Sequence, residues 1–293
     1  MNNHPRRRFH RQILNFVRVC ALAQCTDLLA QPAVLELDVP FVVTPDNVVL
    51  RMLDMAVVSA RDTVLDLGSG DGRIVITAAL RYGAQASGVE IDPALVDKAR
   101  ENARRAGVQA SAQFHARDLF ETDLTQASVI TMYLLPDVNI ALRPRLLALR
   151  PGVRLVSHDW DMGDWVPDYQ SVIEAPEKAL GLKKVARLML WVVPAQVGGK
   201  HQGDGLELDI RQRYQLIDSA QLRIGNELLQ FQAATIRGPT VNLRGTDAST
   251  RSISLAASVQ VPVTKGAEIK WRLCREGSPD RSLATSSAPD SGL

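Results

Sequence analysis

The segment Val64-Leu-Asp-Leu-Gly-Ser-Gly-Asp-Gly-Arg73 constrains the fold of this chain more than any other stretch. A short apolar run, Thr63 to Leu67, ends in three glycines spaced G-x-G-x-G, and Arg73 to Tyr82 follows with helical periodicity until Gly83 stops it. Strand, glycine turn and helix in that order open an α/β domain whose backbone can come close to a nucleotide-like ligand. The unit then repeats. Ser87 to Ile91 is a second strand, Ala94 to Ala106 a helix ended by Gly107, and Ala112 to Ala116 a third strand. Ser128 to Leu135 is a buried strand, the stretch after Pro136 a helix, and Val153 to Ser157 a strand following Arg150-Pro151-Gly152. Residues 185 to 193 add a final strand. Alternation of strands and helices predicts a doubly wound, Rossmann-like sheet covered on both faces. One helix precedes the first strand, with Thr44 expected as its N-cap, Pro45 at its first position, and Val48, Val49, Met52, Leu53 and Ala56 on one face.

Charge around the glycine turn selects the ligand. A dinucleotide enzyme uses the wider G-x-G-x-x-G turn to face a pyrophosphate, which repels carboxylates. Here Asp66 and Asp71 flank Gly68, Ser69, Gly70 and Gly72. A cation suits that setting, and S-adenosylmethionine carries both a sulfonium and an ammonium. Glu90, 22 residues beyond Gly68, ends the second strand where an acid can accept from both ribose hydroxyls. Asp118 ends the third, within reach of an adenine amino group. Asp71 has helix capping as its competing role, and Asp92 before Pro93 is expected to cap a helix.

Beyond about residue 197 the period changes to two. Leu206, Leu208, Ile210, Tyr214 and Leu216 alternate with charged or polar residues, and a Gly225-Asn226 turn joins two further runs. This pattern predicts a small antiparallel β domain over 197–275. Residues 276–293, rich in Ser, Pro, Asp and Ala, are expected to be a disordered tail.

Residues 1–38 form a leader with three readings, the plainest of which is a poorly ordered segment. Arg6 to Arg8 precede an apolar stretch ending Ala21-Leu22-Ala23, which resembles a signal-peptide cleavage site, with a mature start near Gln24. The same residues place Phe9, Ile13, Phe16, Val17 and Cys20 on one face of a basic amphipathic helix that could touch a membrane surface. Export would separate the protein from its cofactor supply, which favours the cytoplasm. The chain carries +2 overall, and five arginines without an acid fall in residues 1–20, so the remainder is net −3. An acidic body argues against a broad nucleic-acid footprint. Three cysteines and five scattered histidines offer neither a disulfide framework nor zinc-ligand spacing. No bound metal is expected.

Asp66-Leu-Gly-Ser-Gly-Asp-Gly72, Gly88-Val-Glu-Ile-Asp92 and Arg117-Asp-Leu-Phe120 resemble the first three motifs of class I S-adenosylmethionine-dependent methyltransferases, over about residues 39–194 within a domain expected over 39–196. The resemblance implies seven strands with the last antiparallel, Asp66, Gly68 and Gly70 around the methionine part of the cofactor, Glu90 on its ribose and Asp118 on its adenine. Val39-Pro-Phe-Val-Val-Thr-Pro45 ahead of the glycine motif is similar to lysine methyltransferases that modify mitochondrial membrane proteins such as the ATP synthase c-subunit, and to their bacterial relatives. Tyr133-Leu-Leu-Pro136 and Ser157-His-Asp-Trp-Asp-Met-Gly-Asp-Trp165 resemble signatures of that bacterial group. The fourth motif is not the Asn/Asp-Pro-Pro-Tyr/Phe of many amino-group methyltransferases.

The resemblance favours a protein lysine as acceptor. A small-molecule N- or O-methyltransferase is the alternative within the same chemistry, and a non-catalytic module with a vestigial cofactor turn is the alternative outside it. Methyl transfer chiefly requires alignment and exclusion of water, and a lysine must first lose a proton. Tyr133, His158, Asp159 and Asp161 follow the fourth and fifth strands and are the candidates for acceptor positioning or proton removal. Packing of Tyr133, and turn stabilisation by the two acids, are their competing roles. Trp160 and Trp165 either wall the acceptor pocket or fill the core.

Overall fold

Val64 to Leu67 are buried on both faces, as a strand at the middle of a parallel sheet requires. They lie in β1 (Thr63–Leu67), which pairs in parallel with β2 (Gln85–Glu90) on one side and β4 (Val129–Met132) on the other. The computed structural model describes residues 41–179, 183–247, 249–259 and 268–288. The leader lies outside the described residues. With β3 (Ala112–Ala116), β5 (Arg154–His158), β6 (Tyr169–Glu174) and β7 (Val185–Val192), the sheet has the order β3-β2-β1-β4-β5-β7-β6. β7 runs antiparallel between β5 and β6. The order reverses between β1 and β4, so successive crossovers leave a crevice at the carboxyl ends of those strands, where ligands bind in open α/β sheets.

Among the described residues four α-helices connect or cover the strands: α1 (Asp46–Met55), α2 (Arg73–Tyr82), α3 (Pro93–Arg105) and α4 (Pro136–Leu147). Asp92 caps α3 as expected, accepting from the Ala94 amide at 2.8 Å. The start of α1 differs from the sequence expectation. Pro45 itself is the extended N-cap residue, with ψ at 147° and no side-chain cap. Thr44 is buried instead, and its carbonyl accepts from Arg73 at 2.8 Å. That bond draws the approach to α1 towards the glycine turn, a long-range contact no local capping rule contains.

The C-terminal β region is a closed barrel of eight strands: β8 (Gly199–Gly203), β9 (Leu206–Arg213), β10 (Leu216–Ile224), β11 (Glu227–Arg237), β12 (Thr240–Thr246), β13 (Ser252–Ser258), β14 (Glu268–Arg275) and β15 (Arg281–Ala288). Alternate residues such as Leu206, Leu208 and Ile210 fill its interior together with Leu222, Leu243, Leu255 and Trp271. The last strand corrects the expectation of a disordered tail, because β15 falls within it. Composition fails there because β15 supplies closure more than apolar mass. It pairs with β14 on one side and β8 on the other, which removes both free edges of the sheet. Its Leu283 is buried, and its buried Thr285 hydroxyl takes the Trp271 indole N–H at 3.0 Å. Among the described residues no helix is long and apolar enough to cross a membrane, and no three His, Cys, Asp or Glu side chains gather as metal ligands.

Candidate active site

Beyond β1 the chain enters a left-handed turn at all three glycines, with φ of +74° at Gly68, +51° at Gly70 and +84° at Gly72. Side chains rarely adopt that conformation. Neighbours also fill the space a Cβ would need: it would lie 3.0 Å from Leu134 at Gly68, 2.3 Å from the Phe41 ring at Gly70 and 2.6 Å from the Phe114 ring at Gly72. The glycines thus serve the turn itself and its packing against Leu134, Phe41 and Phe114. The Gly68 and Ser69 amides are tied to the Val89 carbonyl, both at 2.9 Å. Gly88 leaves the space that Ser69 occupies, since a Cβ there would meet its hydroxyl at 2.5 Å.

Three acids surround this turn in different electrostatic states. Asp66 is fully buried at the end of β1 and accepts from the Thr131 hydroxyl of β4 at 2.7 Å, the residue directly opposite in the ladder. Burial pushes its pKa up to about 8, and the charges of Glu90 and Asp71 push in the same direction. Asp71 behaves otherwise. Burial would raise it, but Arg73 grips it at 2.8 and 3.0 Å and holds the carboxyl below the usual range. Of the two acids that sequence places beside a cation, Asp71 already has one in Arg73, so the carboxyl left without a cation is Asp66. Glu90 accepts from the Gly70 amide at 3.0 Å with one oxygen and from the Ile91 and Asp92 amides at 2.9 and 3.1 Å with the other. A carboxylate has about four acceptor sites. One remains, so holding two further hydroxyls requires release of an amide, and Gly70 is the one on the turn. Asp118 lies two residues beyond β3 and caps the short turn that follows, accepting from Phe120 N at 2.7 Å.

These features fit an amino-acid-bearing cation. Among the described residues Asp66 lacks a positive partner, and the Ser69 hydroxyl is buried without any hydrogen-bond partner.

A second cluster forms where β4 and β5 end. Asp159 follows β5 with φ at +65°, a conformation disfavoured for a residue with a side chain. One carboxylate oxygen takes the Arg187 amide at 3.1 Å, and the other takes the Tyr133 hydroxyl at 3.3 Å and the Lys178 ammonium at 2.5 Å. Burial alone would raise the Asp159 carboxyl, but Lys178 and the other partners hold it low. Tyr133 is pushed up to about 12, by burial first and Asp159 second, so its phenol stays protonated. His158 stacks on Tyr133 with ring centroids 3.9 Å apart, is fully buried, and has no hydrogen-bond partner at either nitrogen among the described residues. Burial depresses its pKa well below the ordinary imidazole value against the pull of Asp159, and the ring is neutral.

Asp161 is not part of this group. Its carboxylate accepts from Gly163 N at 3.2 Å and faces Arg187 at 3.5 Å. The loop is held from behind by residues the sequence reading missed: buried Asn139 of α4 donates to the carbonyls of Trp160 and Asp161, and Ser157 donates to that of Trp160 at 2.6 Å. Trp165 is core, with no exposed surface, whereas Trp160 is 40% exposed at the loop. Thr131 had a visible signal, a lone hydroxyl within an apolar run. Lys178 had none, since its partner lies 19 residues away on another element.

The profile of the ANTKMT methyltransferase domain matches residues 66–169, a span that holds the glycine turn, Glu90, Asp118 and the Tyr133 to Asp161 cluster. A protein-lysine N-methyltransferase of Saccharolobus islandicus is 46% identical over 131 residues, which are 44% of this chain and 81% of that protein. The chain belongs to this methyltransferase family. It is an S-adenosylmethionine-dependent enzyme, which sets aside the reading as a vestigial binding module. The adenine nucleotide translocase lysine N-methyltransferase of Mus musculus is 37% identical over 145 residues, 48% of this chain and only 63% of the mouse protein. A crystal structure described as an RNA methyltransferase from Salinibacter ruber in complex with S-adenosyl-L-homocysteine is 48% identical, with a TM-score of 0.49, covering 53% of this methyltransferase and 96% of that chain.

Proposed function

We propose that this methyltransferase transfers a methyl group to the ε-amine of lysine in a protein. The observation that carries the reading is that the glycine turn, Glu90, Asp118, Tyr133 and Asp159 fall inside residues 66–169, the span matched by the family profile, and that the 46%-identical relative is a protein-lysine N-methyltransferase. The chemistry of the β4 and β5 ends supports it. Tyr133 donates a hydrogen bond to Asp159 and keeps oxygen lone pairs with which to accept an N–H, so it can orient an amine without removing its proton. His158, stacked and buried, fixes the plane of the Tyr133 ring, and Asp161 with Asn139 and Ser157 shapes the loop.

S-adenosylmethionine supplies a methyl group activated by its positive sulfur. Asp66 would hold its ammonium, the Ser69 hydroxyl and the turn amides its carboxylate, Glu90 its ribose, and Asp118 its adenine. These residues follow or end β1, β2 and β3 at their carboxyl ends, the edge where open α/β sheets bind ligands, which supports the assignment. Little else is asked of the protein beyond alignment and exclusion of water.

The test is a labelled-methyl transfer over lysate protein, followed by mass spectrometry of whatever acquires label. Methyl-lysine in protein is expected with the native chain, and its loss with Asp66→Ala. Label confined to small molecules, or label that follows RNA, would overturn the lysine assignment.

A further inference from the structure

Lys178 belongs to none of the sequence motifs. It lies on the connection between β6 and β7, which returns at the carboxyl-terminal edge of β5 because β7 runs antiparallel to that strand. The residue is 7% exposed. Its ammonium meets the Asp159 carboxylate at 2.5 Å and donates to the Val185 carbonyl at 2.8 Å. The carbonyl of Lys178 in turn accepts from the Lys184 ammonium. A lysine so deep is uncommon unless it is paired. Here it shares one oxygen of Asp159 with Tyr133, so the ammonium and the phenol meet at a single acceptor atom.

The other charges around it are accounted for. From β5, Asp159 is paired and His158 is neutral. From the end of β4, Tyr133 remains a phenol. From β7, the Arg187 guanidinium is spent on the Asp159 carbonyl at 2.8 Å and faces Asp161. On the same connection, Glu177 acts on Arg73 beside the glycine turn. Lys178 and Asp159 therefore form an internally balanced pair at the place where an acceptor amine would meet Tyr133.

We propose that the Lys178 ammonium keeps the incoming acceptor amine neutral, and so nucleophilic, by occupying the carboxylate that would otherwise bind it as a second ammonium. This rests on the lysine reading above. An unpaired Asp159 would attract a protonated lysine and stabilise the form that has no lone pair to give. With Lys178 in place, a second positive charge at the same carboxylate meets like-charge repulsion, which lowers the pKa of an amine. Lys178 is thus a positioning residue that acts on the acceptor through Asp159.

The experiment follows the rate of methyl-lysine formation in lysate protein, held at saturating concentration so that the profile reads the bound acceptor, from pH 6 to 10 for the full chain and for Lys178→Met, Lys178→Gln and Lys178→Arg. Thermal melting and cofactor calorimetry accompany each variant, and Lys178→Gln retains a hydrogen-bond donor should the Met variant fold poorly. The acid limb of the profile is expected to move up by about one pH unit in the neutral variants, about tenfold in rate at pH 7, with recovery towards the native rate by pH 10. Lys178→Arg should track the native profile. An unmoved limb, or a loss by the same factor at every pH in a variant that still folds and binds cofactor, would overturn the assignment and leave Lys178 a structural ion pair. Absence of methyl-lysine with the native chain at every pH would instead sink the lysine reading itself.

Discussion

Asp66→Asn isolates the charge that the glycine turn holds for its cofactor. With a pKa of about 8 in the free protein, Asp66 is mostly protonated at neutral pH and must ionise to bind an ammonium. Binding therefore releases a proton, and affinity rises with pH up to about 8. From pH 7.5 to 6 the affinity of the native chain should fall about 25-fold, near 1.9 kcal/mol, since each pH unit well below the pKa costs about tenfold. S-adenosylhomocysteine is the suitable ligand, because it keeps the ammonium and lacks the sulfonium. Its ammonium stays charged over this range, so the slope belongs to the protein. Asparagine preserves the hydrogen bond to Thr131 and removes the charge, so the variant should bind at least about 30-fold more weakly at pH 7.5, as loss of one partner of a buried charge pair costs about 2–5 kcal/mol. Its pH dependence should be nearly flat. Calorimetry in two buffers of different ionisation enthalpy reads both affinity and proton release. A native profile without slope, or an Asp66→Asn profile with the native slope, would refute the reasoning, because the titrating group would then be another one.

Tyr133→Phe keeps the stack on His158 and deletes the hydroxyl shared with Asp159, so turnover should fall about 100-fold with cofactor affinity unchanged, measured by single-turnover methyl transfer and calorimetry. Gly72→Ala forces a side chain into φ +84° and against Phe114, and a loss of about 2–4 kcal/mol is expected in denaturant melts. Gln215→Ala, on the β9–β10 turn, removes a 3.0 Å bond from the Trp165 indole and a 2.6 Å bond to the Val166 carbonyl, which fasten the barrel to the loop that begins at Asp159. The acceptor KM should rise several-fold without change in cofactor binding, and an unchanged KM would show that the barrel does not steady that loop. Truncation before Arg281 takes β15 from the barrel and exposes the edges of β14 and β8, so the shortened chain should elute as aggregates in size-exclusion chromatography.

The parallel sheet was legible because its strands are buried on both faces and read as apolar runs closed by glycine or proline. β6 was not, since it is an edge strand with most residues exposed, and its sequence, Tyr-Gln-Ser-Val-Ile-Glu, has the character of a loop. β15 was missed for a related reason: a strand that closes a barrel is selected for pairing, and Arg-Ser-Leu-Ala-Thr-Ser-Ser-Ala carries little apolar content. At the site, Asp66, the glycines and Glu90 could be placed from spacing alone, because strand ends and turns are local. The state of each acid could not be.

The sequence by itself determined the strand–helix alternation from β1 to β5, the glycine turn and the kind of ligand that two acids and a ribose-binding glutamate would suit. Only the tertiary structure decided which of those acids lacks a cation. Asp71 and Arg73 sit two residues apart and neutralise each other, a pairing that depends on the turn's geometry, while burial opposite Thr131 leaves Asp66 lifted to about 8. Tertiary structure also brought Lys178 to Asp159 from another element, and a charge pair formed across the fold leaves no mark in local sequence. Ionisation depends on burial and on distance, and neither is a property of sequence spacing.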